Sequence, residues 1–507
     1  MKHLFLPLIF ILPFCTSRAG VWHVGTSRNY TLPSQVKNLV QENDTIFLDE
    51  GIYLNDATKW TKNNLHFIGL GNGAILQNNI NIANGKGIWV FESPGSSDNA
   101  YLENIIFDGA QVSDDDGGNG AGIRFQANNL TVNHCKFMNC QNGILEGNGS
   151  VSTSNVIILN SEFENNGYQI QNNPQFSGYE HNIYISASAD TLLVMNCFFH
   201  HPRGQANSLK TRAQRCFILY NLIDEEDEGF GSWELNIAQG GLNIIMGNVI
   251  IQGTSGANHG IISYDDAINS LEDFYFINNT VINKFGGNTR FFNISPSGGI
   301  NTFKIYNNVF ASVPGANNTM ISGNIPASLD TSHNVWFADF QSIGFTDPAN
   351  NDYSLTKEAT SLINNGTIAG STNTDYSLTP MNMYLSLEND LATRTVLGGA
   401  IDIGAYEYQG TTSVQESETP FPICVFPNPF LSTFEVNLKS DSWKNANVTI
   451  LNSVGQPIIK SHLIHSTELS TLSFDLGLYP AGIYFLEFNI DGKQFVEKII
   501  RQFGFHD

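Results

Sequence analysis

The sequence predicts an all-β chain: a right-handed parallel β-helix solenoid followed by a small C-terminal β-sandwich. Three observations predict it. Short β-type runs recur throughout, whereas Ala, Glu, Lys and Leu nowhere sustain a 3.6-residue period over a long stretch. One kind of run returns nine times, as Asn104-Ile105-Ile106, Cys135-Lys136-Phe137, Ser161-Glu162-Phe163, Cys197-Phe198-Phe199, Asn221-Leu222-Ile223, Asn248-Val249-Ile250, Asn279-Thr280-Val281, Asn308-Val309-Phe310 and Asn334-Val335-Trp336, at intervals of 24 to 36 residues. A constant rung with insertions at its corners has this signature. Finally, six of the nine runs open on Asn. An Asn amide can bond to the rungs above and below, and the residue tolerates the left-handed backbone of a tight corner. Cys135, Ser161 and Cys197 read as small buried substitutes where that ladder breaks.

Taken in order, Met1-Lys2-His3, the apolar run Leu4 to Phe14 and the small residues flanking Ser17-Arg18-Ala19 predict a signal peptide over 1–19. No segment offers the ~20 uninterrupted apolar residues of a membrane-spanning helix. The β-helix is expected over 20–408, including its caps, because an open solenoid exposes unpaired strand edges. Residues 20–78, with Asp44-Thr45-Ile46-Phe47-Leu48 and Gly51-Ile52-Tyr53, supply the first cap. Residues 340–408, closing on Asp402-Ile403-Gly404-Ala405-Tyr406-Glu407-Tyr408, supply the second. A polar linker follows over 409–421. The remaining residues, 422–507, alternate in the manner of a small β-sandwich, as in Val448-Thr449-Ile450 and Tyr484-Phe485-Leu486-Glu487-Phe488.

A formal charge of −23 excludes nucleic acid and anionic membrane as partners, since both require a basic surface. Five cysteines remain after export: Cys135, Cys140, Cys197, Cys216 and Cys424. Their spacing fits no tetrahedral zinc pattern, and they read as buried small hydrophobes, with Cys135–Cys140 the best candidate for a disulfide.

Against the acidic background, His200, His201, Arg203, Lys210, Arg212 and Arg215 fall within 16 residues that contain no acid. Four strands stack in rung register: 181–185, 207–212, 233–237 and 259–264. With Ile183, Leu209 and Leu235 inward, alternation turns Asn182, Tyr184, Lys210, Arg212, Glu234 and Asn236 outward, and Arg124 joins them from an earlier strand. Lys210, Arg212 and Arg124 suit uronate carboxylates. Lys210 is the candidate base, its ammonium lowered by burial or a second cation. His181 or Tyr184 would protonate the leaving oxygen, Glu234 would orient the cations, and Asn119, Asn236 and Arg203 complete the binding residues. His200-His201 reads as a solvated corner. Asp114-Asp115-Asp116 and the run Asp224 to Glu228 read as solvated loops, with calcium as the cofactor they suggest.

Two resemblances extend these readings. Val425-Phe426-Pro427-Asn428-Pro429-Phe430, Val454-Gly455, Leu478-Tyr479-Pro480-Ala481-Gly482-Ile483-Tyr484 and Lys498-Ile499-Ile500 resemble, in order, the C-terminal sorting domain of the bacterial type IX secretion system. That resemblance implies export across the outer membrane and the secretion machinery as a partner. Asn119-Gly120-Ala121-Gly122-Ile123-Arg124, His181-Asn182-Ile183-Tyr184, Lys210-Thr211-Arg212-Ala213 and Gly240-Gly241 resemble exported bacterial β-helix proteins of the pectate-lyase-like superfamily. No catalytic residue is carried over from a characterised lyase, whose active-site signatures are absent here.

The expected function is action on an extracellular, acidic polysaccharide by β-elimination, with the chain a monomer at the cell surface or secreted. The alternatives are a non-catalytic carbohydrate-binding protein or adhesin, and a glycoside hydrolase. The hydrolase would require two carboxylates about 5 to 9 Å apart, for which Glu234 with Asp265 or Asp266 is the candidate pair.

Overall fold

A computed structural model describes residues 19–92, 97–147, 154–167, 178–389 and 391–410, then 423–428, 430, 432–438, 445–452, 457–464, 470–479, 482–490 and 493–501. The expected signal peptide up to residue 18, most of the expected linker and the turn expected at Val454-Gly455 lie outside the described residues. The chain divides into two compact units, one ending at Gly410 and one beginning at Thr411.

The first unit is a parallel β-helix built from three parallel sheets of 12, 11 and 10 strands. Each full turn of chain gives one strand to each sheet: Ala100–Glu103 joins the twelve-stranded sheet, Ile105–Asp108 the eleven-stranded and Ala121–Phe125 the ten-stranded. The strand separation of ~4.8 Å then spaces every equivalent side chain along the axis. Phe107, Phe137, Phe163 and Phe199 are buried in one such interior column, their rings stacked nearly parallel at 5.0, 4.9 and 4.8 Å.

The corner between the twelve- and eleven-stranded sheets divides its work between two adjacent residues. The left-handed backbone falls on His134, Asn160, Asn196, Tyr220, Asn278, Asn307 and His333, with φ between +48° and +57°. The ladder occupies the next position. Asn221 Nδ2 donates to Asn248 Oδ1 at 2.9 Å, Asn248 to Asn279 at 3.0 Å, Asn279 to Asn308 at 3.2 Å, and Asn308 to Asn334 at 2.9 Å. The sequence reading gave both tasks to one residue. They separate because a ladder side chain points into the core, whereas the left-handed residue beside it turns outward. A second, exposed ladder of left-handed Asn runs through Asn43, Asn64, Asn99 and Asn129 at another corner. Asn104 also belongs to the left-handed set. Register pairs Phe107 with Phe137, so the first run is Ile105-Ile106-Phe107, one residue later than the sequence suggested.

Cys135, Cys140, Cys197 and Cys216 are buried free thiols. They are the buried small residues expected, and the candidate Cys135–Cys140 disulfide is not formed, because the strand Lys136–Met138 separates the two thiols.

Both expected caps are revised. Strands Val21–Val24 and Thr45–Leu48 already belong to the twelve-stranded sheet, so only residues 25–44, with buried Val36 and Val40, close the first end of the core. Residues 340–408 run along the flank instead of over the end. Tyr353, Leu355, Leu362 and Tyr406 pack on Val249, Ile251, Ile282 and Val309, which face outward from the eleven-stranded sheet. Ala369 and Leu378 pack on Leu242, Ile244 and Tyr275 of the twelve-stranded sheet. The cause is visible in the strands. Early ones alternate, as in Leu130–Asn133, but Gly241–Met246 and Val249–Gln252 are buried on both faces and require a covering layer.

The second unit is an antiparallel β-sandwich. Ile423–Phe426, Thr433–Leu438 and Ser470–Asp475 form one sheet, and Pro457–Ile464, Asn445–Leu451, Gly482–Ile490 and Lys493–Arg501 the other. Val436, Val448, Leu486 and Phe488 share its core.

Breaking the interior ladder should be costly. Asn279 accepts from the Asn248 backbone and side chain and donates to Ile245 and Asn308. Asn279→Ala therefore leaves buried groups unpaired and is expected to destabilise by about 3 kcal/mol, whereas Asn317→Ala, removing an exposed Asn–Asn bond, costs under ~0.5 kcal/mol. Urea unfolding midpoints of the two variants check this.

Candidate functional site

The ten-stranded sheet carries an outward column of register partners: Arg124, Leu145, Tyr184, Lys210, Asn236 and Ser263. Ile123, Ile144, Ile183, Leu209 and Leu235 form the inward column and are buried, which fixes the opposite face of each strand outward. Tyr184, Lys210 and Asn236 thus sit on adjacent strands, with Arg124 three strands from Lys210, about 14 Å along the axis. Arg212 leaves the sheet at the strand end and folds back over Tyr184. Its guanidinium carbon lies 5.2 Å from the ring centroid, and its Nη1 donates to the tyrosine hydroxyl.

The Lys210 amine has no ion-pair partner among the described residues. Burial, then Arg212, pull its pKa below the usual 10.5, against an opposing pull from Asp265. Asp265 is positioned by Asn236 Nδ2 at 2.7 Å and by the Ser263 hydroxyl. Arg124 Nε is buried with no hydrogen-bond partner among the described residues. Its guanidinium lines a cleft of about 500 Å³ together with Asn119, Glu146, Tyr179, Tyr184 and Ser188. Glu146 there accepts from the Ser186 amide and hydroxyl at 2.9 and 3.0 Å and from Ser188 Oγ at 2.7 Å, while burial pushes its carboxyl up.

Several expected members stand elsewhere. Asn182 and Glu234 point inward. They share a register position with Gly122 and Gly143, where an added Cβ would meet Phe137 or Phe163 at 2.9 Å. Strict alternation fails there because the chain is still entering the strand from its corner, so two successive side chains face the core. Asn182 accepts from Asn166 at 2.9 Å, and Glu234 accepts from Ser208 at 3.1 Å, its carboxyl held well above the usual range by burial and then by Glu225. Glu234 therefore orients none of the cations, and the hydrolase pair is lost, since Asp265 bonds to the outward Asn236 and Ser263 while Glu234 faces the core.

His181 is only 2% exposed and lies behind Tyr184 with the rings stacked at 5.8 Å. Its Nδ1 accepts from the Asn207 amide at 3.1 Å, and burial, Lys210 and Arg212 keep it neutral. Its place is as a support for the tyrosine. Arg203 lines a separate cleft of about 630 Å³ with Asp114 and Asp115. Arg215 pairs with Asp190 at the start of a strand in the twelve-stranded sheet. His200 is buried and His201 half-buried, and both face carboxylates beside the eleven-stranded sheet. The basic run thus disperses because 16 residues cover more than half of a rung and pass all three sheets.

The acidic runs also separate. Asp114–Asp116 is an exposed 3-10 turn capped by Ser113. Asp224 and Glu225 are buried, contrary to a solvated loop. Glu225 clamps the Gly231 and Gly253 amides at 2.6 and 3.0 Å, and burial pushes its carboxyl up to about 7.

Tyr179, Glu146, Ser263 and the orienting part of Asp265 were missed by the sequence reading. Ser263 and Asp265 had a signal: the first extends the Lys210–Asn236 column by one rung, and the second follows it by two residues. Tyr179 comes from a corner, where rung arithmetic gives no direction, and Glu146 is the last residue of the strand Asn142–Glu146, in register with the buried Phe125.

Residues 424–502 match the family of the secretion system C-terminal sorting domain. The sandwich is thus the type IX sorting unit, and the chain is exported across the outer membrane to the cell surface or the medium. No helix among the described residues is long and apolar enough to cross a membrane. No curated protein matches the chain.

Glu234 gives a pH test. Its folded pKa lies above the ordinary 4.5, so the native state holds a proton that the unfolded chain releases, and stability falls as pH rises above 4.5. Glu234→Gln removes this linkage. Its stability relative to the parent is expected to rise from pH 5 to pH 7 by up to ~1.4 kcal/mol per unit, measured by denaturant unfolding at each pH.

Proposed function

We propose that the protein is a polysaccharide lyase whose site is the outward column of the ten-stranded sheet, and that its substrate is an extracellular polyuronate lying across the strands. The observation that carries this reading is Lys210: a half-buried amine with a lowered pKa and no ion-pair partner among the described residues, beside the Tyr184–Arg212 pair.

With its proton lost, Lys210 takes the hydrogen next to the uronate carboxylate. Those electrons form the new carbon–carbon double bond, the glycosidic oxygen leaves from the adjacent carbon, and the Tyr184 hydroxyl supplies its proton. Arg212 stabilises the charge that gathers on the carboxylate and holds the tyrosine in place. Arg124, about 14 Å away, takes the carboxylate of a neighbouring sugar, and its unpartnered Nε is suited to that anion. Asn236 and Ser263 position Asp265, whose charge acts on Lys210 from the other side. The hydrolase reading loses its candidate pair, because Glu234 faces the core while Asp265 bonds to the outward Asn236 and Ser263.

On a panel of alginate, pectate and chondroitin, one substrate is expected to give an unsaturated product that absorbs in the ultraviolet. Lys210→Ala and Lys210→Arg lose roughly 10²- to 10⁴-fold in kcat, the second because arginine keeps its charge. Arg124→Ala acts mainly on KM, and the parental rate rises with pH as Lys210 deprotonates below 10.5. Binding to a polyuronate without the absorbance would establish a carbohydrate-binding protein instead.

A further inference from the structure

A second constellation lies on the eleven-stranded sheet, outside the proposed sugar site. His200 ends the strand Phe198–His200 and is 8% exposed, with its ring stacked on Phe198 at 4.2 Å. His200 Nε2 is 3.0 Å from Glu162 Oε1, a carboxylate held by Lys136 at 3.0 Å. With the hydrogen on Nε2 donated to Glu162, the lone pair resides on Nδ1. That nitrogen faces His201 Nδ1 at 3.0 Å and Glu226 Oε2 at 3.7 Å, and His201 Nε2 lies 2.6 Å from the same oxygen.

One nitrogen of each imidazole and an oxygen of Glu226 lie within 4.8 Å of one another, so a cation placed among them can be reached by all three side chains. Nitrogen ligands at about 2.0–2.1 Å from a tetrahedral metal stand about 3.3 Å from one another, and His200 Nδ1 lies 3.0 Å from His201 Nδ1 and 3.7 Å from Glu226 Oε2. Glu162, Glu164 and Glu226 outnumber Lys136, so the local charge favours a cation. A carboxylate accepting from the far nitrogen of a ligating histidine is the usual outer support of a metal site.

We propose that His200, His201 and Glu226 bind a divalent metal ion of the zinc class, with Glu162 orienting His200 from behind. Imidazole donors select against calcium and magnesium, which take oxygen ligands. Three protein ligands leave a fourth position, and the side chains of His201 and Glu226, 34% and 23% exposed, put it toward solvent.

The test is calorimetric titration of the full exported chain, stripped by chelator, with Zn²⁺, and with Ca²⁺ and Mg²⁺ for comparison. One saturable Zn²⁺ site is expected. His201→Asn, which tolerates the left-handed φ of +48° at that corner, and Glu226→Gln should each weaken it at least tenfold. Glu162→Gln should weaken it ten- to a hundredfold, and His333→Asn, at a corner of the last rung, should leave it unchanged. Co²⁺ should give visible d–d bands without a thiolate charge-transfer band, which separates this site from the buried cysteines. Absence of saturable Zn²⁺ binding, a preference for Ca²⁺, or binding unchanged in both His201→Asn and Glu226→Gln would overturn the proposal.

Discussion

Everything in the first unit depends on the register imposed at one corner, where a left-handed residue is followed by an inward Asn. The amide of each ladder Asn bonds to the next, and its oxygen also accepts the backbone N–H of the Asn one rung earlier, at 2.7 to 2.9 Å. A slip of one residue would turn every inward side chain outward. With register fixed, side chains of equivalent position stack at the strand spacing. The phenylalanine column inside and the Arg124-to-Ser263 column outside are two results of the same repeat.

The outer faces then diverge in chemistry. Along the later rungs the eleven- and twelve-stranded sheets present Val249, Ile251, Ile282, Leu242 and Ile244 outward, and residues 340–408 cover them. Neither of those flanking clusters draws a residue from the ten-stranded sheet. That sheet keeps mostly polar side chains outward, with Leu145 among them, and receives long corner insertions beside its strands, including residues 109–120 and 225–234. Closure of two faces and openness of the third locate the candidate site.

The repeat, the sandwich and the outward direction of Tyr184, Lys210, Asn236 and Arg124 were legible in the sequence, because period-2 alternation and a constant rung are properties of strands. Asn182 and Glu234 were misread because alternation fails by one residue at the strand entrance. The flank of 340–408 was misread as a cap, although the continuous apolar runs at 244–246 and 249–251 carried the signal that both faces are covered. The dispersal of the basic run follows from rung geometry: neighbours in sequence lie on different sheets, and neighbours in space are a whole rung apart. His200 and His201 illustrate the limit. Their partners Glu162 and Glu226 stand 38 and 25 positions from His200 and His201, respectively, so no local reading joins them.

The proposed seat of the polyuronate is the outward column of the ten-stranded sheet. The most direct measurement is a crystal structure of the Lys210→Ala variant with a uronate oligosaccharide. The account predicts sugar density across strands 121–125 to 260–264, one carboxylate at Arg212 and another at Arg124. Density on a different face, or a site empty at saturating oligosaccharide, would contradict it.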